Sequence, residues 1–416
     1  MKRANGDRLG VYLSFPFCRS KCTYCNFASG VYPASEHARY VGRLVEEMHG
    51  AGAWAAEMDV ELPRKVDSIY FGGGTPSLLE PEHVQTLFAA LRREFTVERD
   101  AEITVECAPG QLADATLEAF VDAGVNRVSL GVQSFVDREA RESGRLHTRA
   151  AVLEDLRRLR AAGIANLNVD LIAGLAGQTF DSWRESLDVL LETGVPHASV
   201  YMLEVDEDSR LGRELLAGGA RYHAGLVPGD DAIAAMYETA VERLEAAGIA
   251  QYEISNFARE GRESRHNLRY WERRPYLGVG LDSSSMLRAE GGEGYVLRAT
   301  TTDDLNAYLE GAEPAETAWL SPERRHEEAW FLGLRLNRGV QLAALRREFG
   351  KEPVARALHV VKRLKERGLA ESDGRTVRLT AQGRLLSNDA FQEFLTAGAE
   401  EDEGAEERRE DHAAVN

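Results

Sequence analysis

One stretch decides how this chain folds and what chemistry it can support: Cys18-Arg19-Ser20-Lys21-Cys22-Thr23-Tyr24-Cys25. It holds three of the four cysteines of the chain, spaced C-x3-C-x2-C. The apolar run Val11-Tyr12-Leu13-Ser14-Phe15 precedes it, and turn-forming residues from Asn26 to Gly30 follow. This pattern predicts a strand that delivers three thiols into one loop. Cysteine is the usual protein ligand of iron–sulfur clusters, so the loop is a candidate metal centre.

The number of cysteines narrows the kind of site. A closed zinc site takes four ligands, and an electron-transfer [4Fe-4S] cluster takes four cysteines. Three thiolates leave one iron of a cubane free to bind a substrate or cofactor, and we favour this interpretation. A zinc site completed by one of the ten histidines stays open, whereas three unrelated thiols are a poor explanation because the fourth cysteine, Cys107, is far from the other three in the sequence. A disulfide framework does not fit, because the three cysteines have no matched partners.

The composition indicates a soluble protein with a large core. The chain has 416 residues, of which 44% are apolar and 28% charged. We find neither a signal peptide nor an apolar run long enough to span a bilayer, and therefore expect a cytoplasmic protein. The net charge of −18 disfavours a nucleic-acid partner. Residues 400–411 carry eight acidic side chains against two arginines, which predicts a disordered acidic tail.

Strand-like and helix-like segments alternate six times up to residue 204. This alternation predicts an α/β fold, with a parallel sheet and helices outside it. A curved, partial barrel and a flat, doubly wound sheet both fit the pattern. Polar or glycine-rich residues follow the strands where a barrel would build its active site, at 18–25, 72–77, 106–110, 133–135 and 170–178.

The rest of the chain is less regular. Residues 251–290 are rich in aromatic, Arg and His side chains. Pro314 and Pro322 bracket a polar linker, and beyond it three helices, the strand Val377-Arg378-Leu379 and a last helix over 381–395 predict a small winged-helix-like domain. The predicted organisation is a core barrel over 1–204, a region over 205–315 that completes it, a C-terminal domain over 316–398 and an acidic tail over 399–416.

Glycines and polar residues at strand ends supply further candidates. Gly72-Gly73-Gly74-Thr75-Pro76 follows a strand, and such glycines let a backbone approach a ligand closely, although an ordinary turn also explains them. Carboxylates there can bind ribose hydroxyls, and an arginine can pair with a carboxylate, but solvation also explains each of them alone. These polar candidates are Glu106, Gln133, Arg145 and Asp170.

Two other features have an ordinary explanation as well. His266-Asn267-Leu268-Arg269-Tyr270-Trp271 could hold a planar aromatic ligand or its metal, but the residues alone modestly favour a packed aromatic loop. Cys107, the fourth cysteine, is interpreted as a small buried residue rather than as a ligand.

Taken together, these motifs resemble the radical S-adenosylmethionine (SAM) superfamily. Within it, several of them resemble the oxygen-independent coproporphyrinogen III oxidase family, over roughly residues 8–395. The motifs that carry this likeness are Phe15-Pro16-Phe17-Cys18, Gly72-Gly73-Gly74-Thr75-Pro76-Ser77, Leu130-Gly131-Val132-Gln133-Ser134-Phe135, Gly144-Arg145-Leu146-His147, Asn168-Val169-Asp170-Leu171-Ile172-Ala173-Gly174-Leu175 and Leu379-Thr380-Ala381-Gln382-Gly383.

Within that family the chain resembles the HemW branch, the haem chaperones. The oxidase has a further cysteine two positions after its third cluster cysteine, where this chain has Phe27, and it has a longer N-terminal extension. The run from His266 to Trp271 matches the H-N-x-x-Y-W motif of the HemW branch, which is implicated in haem binding. The resemblance therefore raises haem binding at His266 above the packed-loop explanation.

The resemblance implies a partial (β/α)6 TIM-like radical SAM barrel with a winged-helix-like C-terminal domain. Cys18, Cys22 and Cys25 would ligate three irons of a [4Fe-4S] cluster, and SAM would chelate the fourth. Two departures are Ala108, where the family usually has Asn, and the glycine-rich loop over 278–285. The positions that match SAM contacts of the family are Tyr12, Tyr24, Gly73, Gly74, Thr75, Glu106, Gln133, Arg145 and Asp170.

The implied function is to bind haem and transfer it to an acceptor protein, with no catalytic residue assigned. The first alternative is a coproporphyrinogen III oxidase that decarboxylates its substrate by radical SAM chemistry. A nucleic-acid modifier that uses the C-terminal domain is less favoured. A flavodoxin or ferredoxin would supply electrons if radical chemistry occurs, and any membrane contact would be peripheral, through the acceptor.

Overall fold

The computed structural model of the protein describes residues 8–204, 206–292 and 294–395. The predicted acidic tail over 399–416 lies outside these residues. No helix in the described part of the chain is long and apolar enough to cross a membrane.

The described residues form two sheets surrounded by helices. The strands are β1 (Leu9–Phe15), β2 (Val60–Glu61), β3 (Lys65–Gly73), β4 (Thr96–Cys107), β5 (Arg127–Gln133), β6 (Asn166–Ala173), β7 (His197–Met202), β8 (Ala250–Gln251), β9 (Asn256–Ala258), β10 (Tyr276–Val279), β11 (Ser284–Ala289), β12 (Val296–Thr300), β13 (Glu316–Leu320), β14 (Val340–Gln341), β15 (Ala370–Ser372) and β16 (Thr376–Leu379). The helices are α1 (Ser35–Glu57), α2 (Pro81–Glu94), α3 (Asp114–Asp122), α4 (Asp137–Glu142), α5 (Arg149–Ala161), α6 (Phe180–Thr193), α7 (Arg210–Leu216), α8 (Asp230–Ala246), α9 (Arg265–Trp271), α10 (Leu305–Leu309), α11 (Pro322–Leu334), α12 (Leu342–Phe349), α13 (Lys351–Glu366) and α14 (Ala381–Leu385).

The large sheet is built around six parallel strands in chain order, β1-β3-β4-β5-β6-β7. A doubly wound sheet would reverse its strand order at a switch point, whereas this order runs on without reversal. The partial (β/α)6 barrel is therefore confirmed over the doubly wound alternative. Strand β10 adds in parallel beside β1, and the described strands end at β13 on one side and at β8 on the other.

The two faces of the barrel strands have opposite chemistry. On β5, Val128, Leu130 and Val132 belong to the apolar core that packs against the outer helices. The alternate side chains point to the inner face, because successive residues of a strand face opposite sides. On β5 these are Arg127 and Ser129, and equivalent polar residues follow on β6 and β7. The barrel therefore encloses a polar interior rather than the usual apolar layers.

Helix α9, which carries the H-N-x-x-Y-W motif, covers the N-terminal ends of the barrel strands. The backbone N–H groups of Arg265 and His266 donate to the carboxylate of Glu102 on β4, at 3.1 and 3.0 Å. The fully buried Arg269 pairs with Asp67 near the start of β3. A buried charge needs such a partner, so this pair holds the helix against the sheet.

The C-terminal domain has its own core, in which Trp330 of α11 stacks on Phe394 with ring centroids 5.3 Å apart. Its small antiparallel sheet has the order β14-β16-β15 and packs with α11, α12 and α13, as expected for a winged-helix-like module. The domain is attached to the barrel by the ion pair of Arg273, just after α9, with Glu348 of α12. Arg325 of α11 pairs with the same carboxylate from within the domain.

The structure corrects two local predictions and adds detail to a region for which none was made. The polar linker predicted between Pro314 and Pro322 is β13, which pairs with β12 of the large sheet, so the large sheet extends past the predicted domain limit at 315. The last helix is interrupted at Leu386 and resumes over 387–395. The region over 251–290 contains the short strands β8 to β11, whose lengths leave too few alternating residues to reveal them.

Candidate functional site

A cavity of about 560 Å³ opens at the C-terminal ends of the barrel strands. This is the end at which TIM-like barrels place their active sites, and the volume lies in the usual range for small-molecule pockets. The cavity continues along β7 to residues of the C-terminal domain, among them Arg335 and Asn388. The predicted site residues that line it are Cys18, Cys22, Cys25, Tyr24, Gly73, Gly74, Thr75, Glu106, Gln133, Arg145 and Asp170.

The cysteine loop is held in place by backbone contacts with its neighbours. The Cys18 N–H donates to the Gly30 carbonyl at 2.8 Å, and the Thr23 N–H donates to the Ser143 carbonyl at 3.0 Å. Thr75 donates its hydroxyl hydrogen to the Cys18 sulfur at 3.5 Å. All four cysteines are free thiols, and Cys107 is buried in the apolar core beside the cavity.

The glycines after β3 permit a close approach of two backbone segments. The Gly74 N–H donates to the Phe15 carbonyl at 2.8 Å, next to the start of the cysteine loop. A Cβ atom at Gly74 would lie 2.8 Å from that oxygen, which leaves no room for a side chain. Gly73 has a φ of 98°, a backbone conformation that favours glycine. These glycines therefore bring the β3 end against the cysteine loop.

Two polar residues beside the cysteines keep unused hydrogen-bonding groups. Gln133 has a left-handed φ of 69° at the bulged end of β5, and its buried Oε1 has no partner in the described part of the chain. Arg145 donates from Nη1 to the Cys22 sulfur at 3.6 Å, while its buried Nε has no partner among the described residues. Strained backbone and unpaired polar atoms beside a cavity are typical of a ligand site.

Two buried carboxyl groups, Glu106 and Asp170, face the same cavity. Burial raises the pKa of Glu106 to about 7. The hydrogen bond that its Oε1 accepts from the Tyr70 hydroxyl at 2.8 Å acts in the opposite direction and lowers the pKa. Burial also raises the pKa of Asp170, which accepts hydrogen bonds from Ser129 and Asn168. Such perturbed groups in a cleft are candidates for binding or catalysis.

Two predicted site residues do not line the cavity. Tyr12 lies on the inner face of β1, stacked on Tyr70 with ring centroids 6.0 Å apart. His266 is 1% exposed on α9, with Nδ1 at 3.0 Å from Ser68 Oγ and Nε2 at 3.0 Å from the Tyr270 hydroxyl. Burial lowers the pKa of His266 to about 3, which keeps its ring neutral. Both of its ring nitrogens are therefore engaged within the protein.

The cavity also contains residues to which no role was assigned from the sequence. His147 is 7% exposed and its Nε2 has no partner in the described ranges, while burial lowers its pKa to about 4. Arg127 is 1% exposed and reaches the cavity from the inner face of β5. The signal for Arg127 was present in the alternation of β5, where a charged residue stands at an inward position of a buried strand.

The residues present fit an iron–sulfur cluster with SAM. Three free thiols share one loop, the glycines bring the β3 end against that loop, and Gln133 and Arg145 keep polar groups available beside it. The cysteines would hold the cluster, and the polar groups of Glu106, Gln133, Arg145 and Asp170 would bind SAM. When bound and reduced, the cluster supplies one electron for SAM cleavage. In the described residues no three His, Cys, Asp or Glu side chains are placed to hold a metal ion as they stand.

Comparisons with known proteins decide the family. A profile of the Radical SAM superfamily matches residues 12–190, and one of the HemN C-terminal domain matches residues 320–386. The chain is 34% identical over 393 residues to Heme chaperone HemW of Bacillus subtilis (strain 168), and the aligned region covers 92% of this chain and 98% of that protein. The chain belongs to the HemW family of radical SAM proteins. Membership in this superfamily implies a [4Fe-4S] cluster and SAM as cofactors.

Other comparisons extend this assignment. Heme chaperone HemW of Escherichia coli (strain K12) is 32% identical over 304 residues, or 73% of this chain and 76% of that protein. The structure of coproporphyrinogen III oxidase (HemN) from Escherichia coli superposes with a TM-score of 0.79 over 94% of this chain and 91% of that chain. At 22% identity this likeness shows the fold alone, which this chain and the oxidase share.

Proposed function

We propose that the protein is a haem chaperone, which binds haem and passes it to an acceptor protein. The observation that carries this proposal is the identity of 32–34% to several proteins named Heme chaperone HemW, four of which match more than 90% of this chain. Phe27, in place of the further cysteine of the oxidase, supports the same choice. The [4Fe-4S] cluster and SAM would be resident cofactors, and haem would be the cargo.

The mouth of the cavity supports binding of a large, flat, apolar molecule. Phe27 and Leu146 are each 61% exposed, and Tyr201 is 42% exposed, and all three line the cavity. Exposed large apolar side chains that gather at one opening mark a binding surface. A porphyrin resting here would cover them while its polar edge reached the polar interior of the barrel.

His266 is retained in the proposal as a contributor to haem binding, on the strength of its motif. The hydrogen bonds from its ring nitrogens to Ser68 and Tyr270 would have to break before either nitrogen could bind iron. His147 is the second candidate, because its Nε2 is unpaired and the residue lines the cavity. A neutral imidazole nitrogen of this kind is a common iron ligand.

The oxidase activity is the second candidate function, favoured by the shared fold and by the intact cysteine and SAM motifs. It would need an electron donor such as a flavodoxin or ferredoxin. Nucleic-acid modification is less favoured, given the net charge of −18. A cytoplasmic location, with any membrane contact made through the acceptor, completes the proposal.

Haem transfer tests the proposed function. The protein is reconstituted anaerobically with iron and sulfide, loaded with haem, separated from free haem and mixed with haem-free protein from a membrane extract that contains cytochromes. We expect haem to leave the protein and to appear in the acceptor fraction. Retention of all haem, or the same transfer from haem-loaded serum albumin, would contradict a chaperone role.

A further inference from the structure

Arg127 is a buried cation without a counter-ion in the part of the chain that the structure describes. The residue is 1% exposed, its Nε has no hydrogen-bond partner, and the guanidinium forms no ion pair within the described ranges. The other large buried arginine, Arg269, is bound to Asp67, Ser68 and two backbone carbonyls. An unpaired charge in a protein interior is costly, so a buried guanidinium is normally paired.

The two buried carboxyl groups that line the cavity with Arg127 do not take that role. Glu106 accepts from Tyr70, and Asp170 accepts from Ser129 and Asn168, whereas neither accepts a hydrogen bond from Arg127 in the described residues. Arg127 is the first residue of β5 and lines the same cavity as both carboxyl groups, so it lies at the floor of the cavity that opens at the other end of the strands.

The neutral donors that line the cavity floor are already used, whereas the unpartnered Thr104 hydroxyl on β4 does not line the cavity. The Tyr70 hydroxyl donates to Glu106, Ser129 donates to Asp170, and the Asn168 amide donates to Ser129, Asp170 and Ser199. Arg127 is thus the floor residue whose N–H donors remain unused, and a guanidinium presents these donors in a planar fork. That fork matches the two oxygens of a carboxylate.

We propose that Arg127 anchors a carboxylate of the organic ligand that enters this cavity, through a paired N–H to oxygen contact at the cavity floor. This inference rests on the proposed function in one respect: if the ligand is haem, the carboxylate is one of its propionates. The carboxylate of SAM is a different source of the same chemistry. It is expected at the cluster end of the cavity, beside Arg145 and Cys22.

The experiment compares ligands with and without free carboxylates. Haem, its dimethyl ester and coproporphyrin III are titrated into the reconstituted protein and into Arg127→Met, with SAM titrated in parallel. We expect Arg127→Met to weaken haem and coproporphyrin binding roughly 10- to 100-fold, the range for one charged pair. The ester should bind both proteins equally, and SAM affinity should not change. The matched control is Arg99→Met, which removes an exposed arginine near the start of β4.

The possible results separate the inference from the proposed function. An equal loss for haem and for its ester, or a loss confined to SAM, would overturn the role of Arg127. If the wild type binds coproporphyrin but not haem, and Arg127→Met loses the coproporphyrin binding, the result would contradict the haem chaperone and support the role of Arg127 as an anchor. Binding of neither porphyrin would overturn both. Arg127→Lys, which keeps the charge without the fork, should show an intermediate loss, and it covers the case in which Arg127→Met does not fold.

Discussion

Arg145 donates an Nη1 hydrogen to the sulfur of Cys22 across 3.6 Å, so a predicted SAM-binding residue touches the cysteine loop directly. Its second terminal nitrogen donates to the Gly131 carbonyl, next to Gln133. Arg145 therefore ties the end of β5 to the loop that would carry the cluster.

This contact predicts that Arg145→Met weakens SAM binding. Loss of one charged hydrogen-bonding group should lower SAM affinity roughly 10- to 100-fold. The measurement is an equilibrium SAM titration of the anaerobically reconstituted variant, with iron and sulfide content as the control for cluster assembly. Unchanged SAM affinity in a variant with a full cluster would remove Arg145 from the site.

The close approach at Gly74 predicts that Gly74→Ala disrupts the cysteine loop. The new methyl group would meet Phe15 O, Pro16 C and Phe17 O at 2.8–2.9 Å, all of them backbone atoms that cannot swing away. We expect a loss of about 1–3 kcal/mol in unfolding free energy, typical of overpacking, and poor cluster assembly. The control is Gly50→Ala, which meets nothing within 4 Å on α1 and should stabilise the helix by about 1 kcal/mol. Similar thermal midpoints for the two variants would refute the argument.

The buried Glu106 predicts a stability that depends on pH. Its pKa is raised from 4.5 to about 7, so folding favours the protonated carboxyl. The stabilisation is fully present below pH 4.5 and is lost as the pH rises to about 7, by about 3 kcal/mol. Cofactor-free Glu106→Gln should therefore match the wild type near pH 4.5 and exceed its unfolding free energy at pH 8. Denaturant unfolding at both pH values measures this, and a difference that does not change with pH would contradict it.

The two candidate histidines lead to different spectra. We expect His266→Ala to lower haem affinity, because the proposed function assigns His266 a contribution to haem binding. Absorption spectra and titrations of haem with His266→Ala and His147→Ala show which side chain bonds to iron, since loss of an iron ligand shifts the Soret band. Unchanged affinity and spectrum in His266→Ala would exclude His266, and a shift found only in His147→Ala would assign the ligand to His147.

Much of the barrel and its cavity was predictable because the six strands each carry a strong local signal. The cysteine spacing, the glycine run after β3 and the polar strand ends at Glu106, Gln133 and Asp170 all lie where the carboxyl ends of parallel strands must meet. A single sequence reveals such positions because they follow from strand order alone.

The placement of His266 could not be predicted in the same way. The motif is a local sequence pattern, whereas the position of α9 in the fold depends on long-range contacts with Glu102 and Asp67. The same holds for β13, where a five-residue strand with exposed side chains resembles a linker until its partner β12 is known. The role of Arg127 likewise depends on the absence of partners, which only the packed interior reveals.

The proposed function requires the cavity to serve haem rather than coproporphyrinogen. The measurement that tests it most directly is anaerobic incubation of the reconstituted protein with SAM and a reductant, with haem in one arm and coproporphyrinogen III in the other. We predict stable haem binding by absorption spectroscopy, and no vinyl product from coproporphyrinogen. Conversion of coproporphyrinogen to vinyl-bearing product by a protein that does not retain haem would contradict the account and would identify an oxidase.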